Sequence, residues 1–325
     1  VNAAITSGGG AVTLLANNNI TFNAVGSIDT ESGSATVTIR ADADGTNGGG
    51  ITMADGSFVD ATNGFIDVDA TNNIILSLLR TTTDVAVDST QGAILDNTVE
   101  THDPKDIIAA RALLHAAAGI GTSLNPLETI LSMLEGTGGT GGIFIDDMGG
   151  LVIGAIMSAN LAPAASSTNG LRARNTIRVT TTGFMTVRED VVSTEADVEL
   201  EAIDSPVVTL DPNLAPTGSE FPNGNGTQFS VVTDTTDADE DFILTAGARI
   251  EGFTAVTLLA GDDLLIDLHS AVFAGTTLTI RGDHGNQDVG TGTHINILGS
   301  LKAPSTLITG ESDADIIYLR PQALT

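Results

Sequence analysis

The sequence predicts an all-β fold, a parallel β-helix or β-solenoid, and three observations predict it. The first is a repeated unit. Ala11-Val12-Thr13-Leu14-Leu15-Ala16-Asn17-Asn18-Asn19-Ile20 returns near the other end as Ala255-Val256-Thr257-Leu258-Leu259-Ala260-Gly261-Asp262-Asp263-Leu264. Its template is apolar, x, aliphatic, x, Ala, three spacers, then Ile or Leu. The template also fits Ile66-Val68-Ala70-Ile74, Ala112-Leu114-Ala116-Ile120 and Phe242-Leu244-Ala246-Ile250, and such recurrence marks repeat architecture. The second is strict alternation over short runs bounded by Gly, Asn and Asp, the signal of half-buried strands. The third is composition. Aromatic residues are 3% of the chain, so Val, Ile, Leu and Ala must fill the core.

Residues 5–97 read as short strands: Val12 to Ala16, Ile20-Thr21-Phe22, Ser27-Ile28-Asp29, Ala35 to Ala41, Ile51-Thr52-Met53, Phe65 to Val68, Ile74-Ile75-Leu76 and Val85-Ala86-Val87. The steps from Val12 to Val37 to Ile66 each correspond to about one β-helix coil, a little over twenty residues plus insertions.

Residues 104–118 carry two patterns. Asp103-Pro104, followed by Ile107, Ile108, Ala110, Arg111, Leu113, Leu114 and Ala117, matches a capped amphipathic helix. The template instead makes 112–116 a strand and also places Ile120. Strand is therefore the expectation at 112–116, with a short helix near 104–118 as the alternative. Leu127 to Leu134 has the same ambiguity and is read as strand. Gly142 to Asp147, Leu151 to Gly154, Ile177-Arg178-Val179, Met185-Thr186-Val187 and Val198 to Ala202 continue the series. Tight coils resume over 241–320. The whole of 1–325 is expected to be one continuous solenoid tile with loop excursions near 158–170 and 211–226, the latter rich in Pro, Gly and Asn.

A short strand cannot bury its apolar face alone. Stacking coils in parallel register turns the inward aliphatics into columns, with ladder hydrogen bonds along the axis every ~4.8 Å. Roughly a dozen coils then make a rod on the order of 60 Å long. The small Ala suits an inside corner. The Asn, Asp and Gly after it suit turns, and Asn18 and Asn72 are placed to stack in an amide ladder. A Greek-key sandwich is the rival, because Asp44-Gly45, Asp55-Gly56, Asn63-Gly64 and Asn169-Gly170 are hairpin-turn dipeptides.

Charge and residue types then limit function. Lys and Arg number 12 against 41 Asp and Glu, a net charge of −29, which argues against nucleic acid and anionic membranes as partners. There is no Cys, hence no disulfide, thiolate nucleophile or zinc-thiolate site. No apolar run is long enough for a transmembrane helix, so membrane insertion is not expected. Val1-Asn2-Ala3-Ala4 does not read as a signal peptide, and the chain reads as a piece of something longer.

The template, together with Gly119-Ile120-Gly121-Thr122-x-x-Asn125-Pro126-Leu127-Glu128-Thr129 and Gly142-Ile143-Phe144-Ile145-x-x-x-Gly149-Gly150-Leu151-x-Ile153-Gly154, resembles giant repetitive bacterial surface proteins similar to filamentous haemagglutinin. Ala260-Gly261-Asp262-Asp263-Leu264 and Gly282-Asp283-x-Gly285-Asn286-x-Asp288 look like segments of the same tiles. The resemblance implies a secreted parallel β-helix at the bacterial cell surface, in adhesins, toxin-delivery stalks or filaments.

Acidic clusters are the candidate sites. Asp234, Asp237, Asp239 and Asp241 sit in one short stretch with Glu240, and calcium takes six to eight oxygens from such loops. A solvated acidic loop is the plainer alternative. Asp283, His284 and Asp288, and Glu311, Asp313 and Asp315, are weaker versions. The histidines lack metal spacing, no Lys-Ser/Thr follows the triple glycines, and no catalytic or cofactor-binding residue is expected; calcium is the one ion considered, and no cofactor is required. Two functions follow. One is a non-enzymatic extracellular structural or adhesive protein, a stalk or filament that self-associates end to end or in tandem tiles and meets cell-surface glycans. The other is a polysaccharide-cleaving β-helix enzyme, for which Arg172, Arg174, Arg178 and Arg188 supply the basic cluster but aromatic platforms are scarce.

Overall fold

A computed structural model describes residues 1–325 except 47, 98–104, 162–169, 204–240, 286–291, 312 and 321–325. The described residues form 32 strands in one continuous sheet and contain no helix. Every pairing between strands is parallel. An isolated Thr122–Asn125 bridge is antiparallel, within a tight turn. Parallel pairing removes the Greek-key alternative, since hairpins would pair neighbours antiparallel. The chain is a three-sided parallel β-solenoid.

The first four coils stack in three columns. Ala4–Thr6, Ser27–Asp29, Phe58–Asp60 and Leu78–Arg80 make the first side. Val12–Ala16, Val37–Ala41, Ile66–Ala70 and Asp84–Ser89 make the second. Ile20–Phe22, Ile51–Met53, Ile74–Leu76 and Ala93–Asp96 make the third. The repeated unit is the second side with its corner. Val12 pairs with Val37 and Val37 with Ile66, and corner Ala16 meets Ala41 while Ser89 meets Ala70 and Ala116. Alternation sends Val37, Ile39 and Ala41 inward and Thr38 and Arg40 outward, as the pleat requires.

The last coils use a different set of columns. Ile143–Asp147, Ile177–Thr181, Val198–Ala202, Ala255–Ala260, Thr277–Arg281 and Ser305–Thr309 form a long side. Leu151–Ile153, Met185–Val187, Phe242–Leu244, Leu264–Ile266, His294–Ile297 and Ile316–Leu319 form a second side. Leu171–Ala173, Val191–Ser193, Arg249–Gly252, Ala271–Ala274 and Ser300–Lys302 form the third. The template match at 255–264 therefore lies on the long side, whereas 242–244 lies on the next one, and Ala246 is an exposed turn residue rather than an inside corner.

Between the two sets is a seam. Ile94 pairs with Ile120 and Ile120 with Ile143, so the third side of the early coils leads into the start of the long side. Leu79 pairs with Ile107, Ile107 with Thr129, and Thr129 with Asp147, so the first side leads into its end. The second side divides: Val85, Ala112, Leu134 and Ile153 form one line, and Val87, Leu114, Gly136 and Leu171 form another. The triangle is thus turned by half a side while the ladder stays unbroken. Two long strands, Ile107–Ala116 and Leu127–Thr137, make the change by running straight through a former corner. The Ala110 and Arg111 amides both donate to the Thr83 carbonyl, the pattern of a β-bulge at that crossing.

The helix expected as an alternative near 104–118 is absent where the chain is described, from Lys105 onward; Pro104 lies outside the described residues. Its pattern has a physical source. Ile107, Ala112, Leu114 and Ala116 face the core, but Leu113 on the opposite face is also buried, beneath Ile156 and Leu161. Apolar residues on both faces of a strand imitate helical spacing. Among the described residues no hydrogen bond joins Asn18 and Asn72, the pair expected to stack in an amide ladder. Asn19 Oδ1 accepts the Gly50 amide at 2.9 Å and Asn73 Oδ1 accepts the Ala93 amide at 2.9 Å, so each ties its corner to the following coil. The 211–226 excursion lies outside the described residues.

One core column runs the length of the rod, and a dozen rungs at ~4.8 Å make it on the order of 55 Å long. Close coil contact at the seam demands glycine. A Cβ on Gly141 would lie 1.9 Å from the Ala118 carbonyl oxygen, and one on Gly139 would lie 1.9 Å from the Ala117 oxygen. Replacing Gly141 by Ala therefore forces two backbones apart and is expected to cost about 2 kcal/mol or more in denaturant unfolding. Gly10→Ala, whose Cβ would meet nothing closer than 3.6 Å, is expected to stay within about 0.5 kcal/mol of the parent.

Candidate functional site

The seam collects buried carboxyl groups. Asp84, Asp96, Asp106, Glu135 and Asp147 are all buried there, and Glu128 is half-buried. Each stands where the half-side turn spoils the regular column.

Asp84 and Glu135 hold a strap. Residues 155–161 leave the Leu151–Ile153 strand and fold back over the outside of the second side. Ile156 and Leu161 pack there on Leu113, with Phe65, Ala86 and Met133 at the margin. Asp84 Oδ1 takes Arg111 Nε at 2.5 Å; its Oδ2 takes the Ser158 hydroxyl and Asn160 Nδ2, the latter at 2.8 Å. The Glu135 carboxylate accepts the Ile156 amide at 2.8 Å. Burial pushes the Asp84 carboxyl up, but the donors Arg111, Ser158 and Asn160 together outweigh it, so its pKa falls below the ordinary value. The described part of the 158–170 excursion is thus a packed cover.

Asp147 occupies the inside-corner position of the long side, where Thr181, Ala202 and Ala260 stand in later coils. Its Oδ1 accepts the Thr129 hydroxyl at 2.7 Å and the Leu131 amide at 2.9 Å, while Oδ2 is buried with no hydrogen-bond partner among the described residues. Burial raises its pKa to about 7, against the pull of those two bonds and of Lys105.

Asp96, Asp106 and Glu128 form a tighter group. One oxygen from each lies within 4.8 Å of the other two. Asp106 ends the turn before the Ile107–Ala116 strand. Its Oδ2 accepts the Glu128 amide at 3.0 Å, and its backbone amide donates to the Glu128 carbonyl at 2.8 Å. Its Oδ1 is buried with no hydrogen-bond partner among the described residues. Asn125 Nδ2 donates to Asp96 Oδ2 at 2.7 Å. Burial raises the Asp106 pKa well above the ordinary carboxylate range; Asp96 adds to this, while the hydrogen bond from the Glu128 amide opposes it.

The sequence-level metal candidates fare differently. Asp234, Asp237 and Asp239 lie outside the described residues. Asp241 is described and works as a rung link: its Oδ1 accepts the Asp263 amide at 3.3 Å and its carbonyl accepts the Met185 amide at 2.7 Å. Asp283 is buried at a positive φ of 52°, and Asp288 is outside the described residues. His284 sits between Glu201 and Glu311, at 3.6 and 3.4 Å. His115 pairs with Asp88 at 2.8 Å, which raises its pKa.

The arginine cluster is dispersed. Arg172 pairs with Asp190 at 3.4 Å, Arg174 with Glu195 at 2.6 Å, and Arg178 lies over the Phe144 ring at 5.7 Å. A shallow groove of about 350 Å³ beside Arg178 is lined by Lys105, Asp146, Asp147, Glu199 and Glu201. Burial is the largest effect raising the Glu201 pKa; His284 opposes it and Glu199 adds to it.

Sequence reasoning missed the seam carboxylates, although one signal was present. Ile143-x-Ile145-x-Asp147 follows the inward alternation and ends on Asp where the template has Ala. In comparisons with family models, curated proteins and solved structures, nothing matches this chain. The geometry itself defines the class: a three-sided parallel β-solenoid with a buried acidic seam. Among the described residues no helix is long and apolar enough to cross a membrane.

Asp147 has a definite pH signature. Its folded pKa lies above the ordinary 3.9, so the stability it gives is complete below about pH 4 and is lost as pH rises through about 7. Asp147→Asn keeps the oxygen that takes Thr129 and Leu131. It is expected to melt higher than the parent at pH 8, by roughly 1–4 kcal/mol of stability, with the gap closing towards pH 4. Equal melting of the two proteins across that range would show that the corner charge does not matter.

Proposed function

We propose that the chain is an extracellular structural or adhesive protein, a rigid stalk or filament segment that extends by coil stacking. The observation that carries this reading is the unbroken parallel ladder wrapped around one continuous aliphatic core. On the last coil Leu307, Ile316, Ile317, Tyr318 and Leu319 are 37–57% exposed. On the first, Val12, Leu14 and Ala16 are only partly covered, although their equivalents in the next coil are buried. Such edges present both strand hydrogen-bonding groups and core side chains, and one more coil satisfies both.

The resemblance to filamentous haemagglutinin-like surface proteins supports the bacterial cell surface as the setting, with glycans of host or neighbouring cells as partners. The strong negative charge supports a rod that repels its neighbours sideways and joins at its ends. The polysaccharide-cleaving alternative has the groove at Arg178 as its best feature. The most perturbed groove carboxyl, Asp147, is 2% exposed, and its Oδ1 is already taken by the Thr129 hydroxyl and the Leu131 amide. Two of the four clustered arginines, Arg172 and Arg174, are taken by separate carboxylates.

Negative-stain microscopy of the purified chain tests the reading. Rods in multiples of about 55 Å are expected, and Ile317→Lys, which puts a charge on the open end, is expected to shift them to single units. Single particles at all concentrations, together with hydrolysis of an acidic glycan, would contradict it.

A further inference from the structure

We infer that Asp96, Asp106 and Glu128 form a binding site for one calcium-sized divalent cation at the seam. The three residues belong to three successive turns of the chain: Asp96 ends the last early coil, Asp106 opens the next, and Glu128 lies one rung beyond. An ion held by all three staples the coils at the place where the columns change.

Three properties of the cluster point to such an ion. The first is its spacing. The oxygens lie within 4.8 Å of one another, and two ligands on opposite sides of a calcium ion, each 2.3–2.6 Å away, are about 4.6–5.2 Å apart. Magnesium demands a stricter octahedron and keeps several of its waters, so a set of three protein carboxylates suits calcium better. The second is ligand chemistry. All three side chains offer hard carboxylate oxygens, which suit calcium better than a soft transition metal. The third is independent of the clustering. Asp106 is 2% exposed, and its Oδ1 has no hydrogen-bond donor among the described residues, although Oδ2 is taken by the Glu128 amide. A buried carboxylate oxygen without a donor carries a penalty that a cation removes.

None of the site's three residues belongs to the acidic stretch at 234–241. It also differs from Asp60 and Asp69, whose carboxylates meet Arg80 at 2.6 Å and Arg40 at 2.8 Å. It does not depend on the stalk reading.

Calorimetric titration of the chelator-treated full chain with calcium chloride at neutral pH tests the inference, alongside thermal melting with and without the ion. One saturable site is expected at or below about 1 mM, with magnesium at least about tenfold weaker and a melting point that rises with calcium. Asp106→Asn is expected to abolish that site and the melting shift, whereas Asp237→Asn is expected to keep both. Should Asp106→Asn not fold, Glu128→Gln at the half-buried edge takes its place and is expected to weaken binding at least about tenfold. No saturable binding up to about 10 mM overturns the inference. So does binding that survives Asp106→Asn, which would place the ion elsewhere on the acidic surface. A calcium-independent Asp106→Asn protein that melts above the calcium-saturated parent also overturns it, because the pair Asp96–Asp106 would then be sharing a proton.

Discussion

The structure depends on one constraint: each coil must pair its backbone, in register, with the coils above and below it. A strand of three to five residues has no stability alone, so ladder bonds and the column of inward side chains form together or not at all. The constraint fixes residue types along the axis rather than along the chain. Val12, Val37, Ile66, Val85 and Ala112 are distant in sequence but stand on successive rungs. It also explains a core with few aromatics. A narrow triangular interior repeated every ~4.8 Å is filled by branched aliphatics, with Ala at the inside corners.

The seam obeys the same constraint while changing the phase of the triangle. The ladder continues through Ile107–Ala116 and Leu127–Thr137, but a corner is lost and two sides merge into one. Positions that would have carried small apolar residues then carry Asp147 or lie beside Asp106. Carboxylates accept several hydrogen bonds, so they suit a place where backbone amides are displaced from regular pairing. Asp147 gathers Thr129 and Leu131, Glu135 takes Ile156, and Asp84 takes the strap. The outer strap covers the apolar outside face that the same strands expose.

Much of the fold was legible in the sequence because alternation and corner chemistry are local. The strands around Val12, Val37 and Ile66, the Ala corners and the strand at 127–134 all follow from pattern. Stacking phase is not local, and there the pattern misled. The match at Phe242 sits on a different side from the one at Val256, because a template that records spacing says nothing about which column a strand joins. The helical look of 107–116 came from Leu113, buried by residues more than forty positions later in the chain. The buried acidic group was invisible for the same reason. Asp96, Asp106 and Glu128 have no motif spacing and meet because three turns of the chain are stacked. The acidic run at 234–241 drew attention by local density alone.

The half-side turn is the feature on which the seam, its carboxylates and the strap all rest, and the absence of native cysteine makes it directly measurable. Parallel neighbours on adjacent rungs lie within disulfide reach, about 4.4–6.8 Å between Cα atoms. The turn pairs Thr137 with Arg172. An unturned solenoid would continue the template column and set Thr137 against Asp146 instead. Oxidation of the Thr137→Cys/Arg172→Cys protein is predicted to give an internal disulfide in full yield, while Thr137→Cys/Asp146→Cys stays reduced. The reverse outcome, a bridge from 137 to 146 and none to 172, would contradict the turned seam.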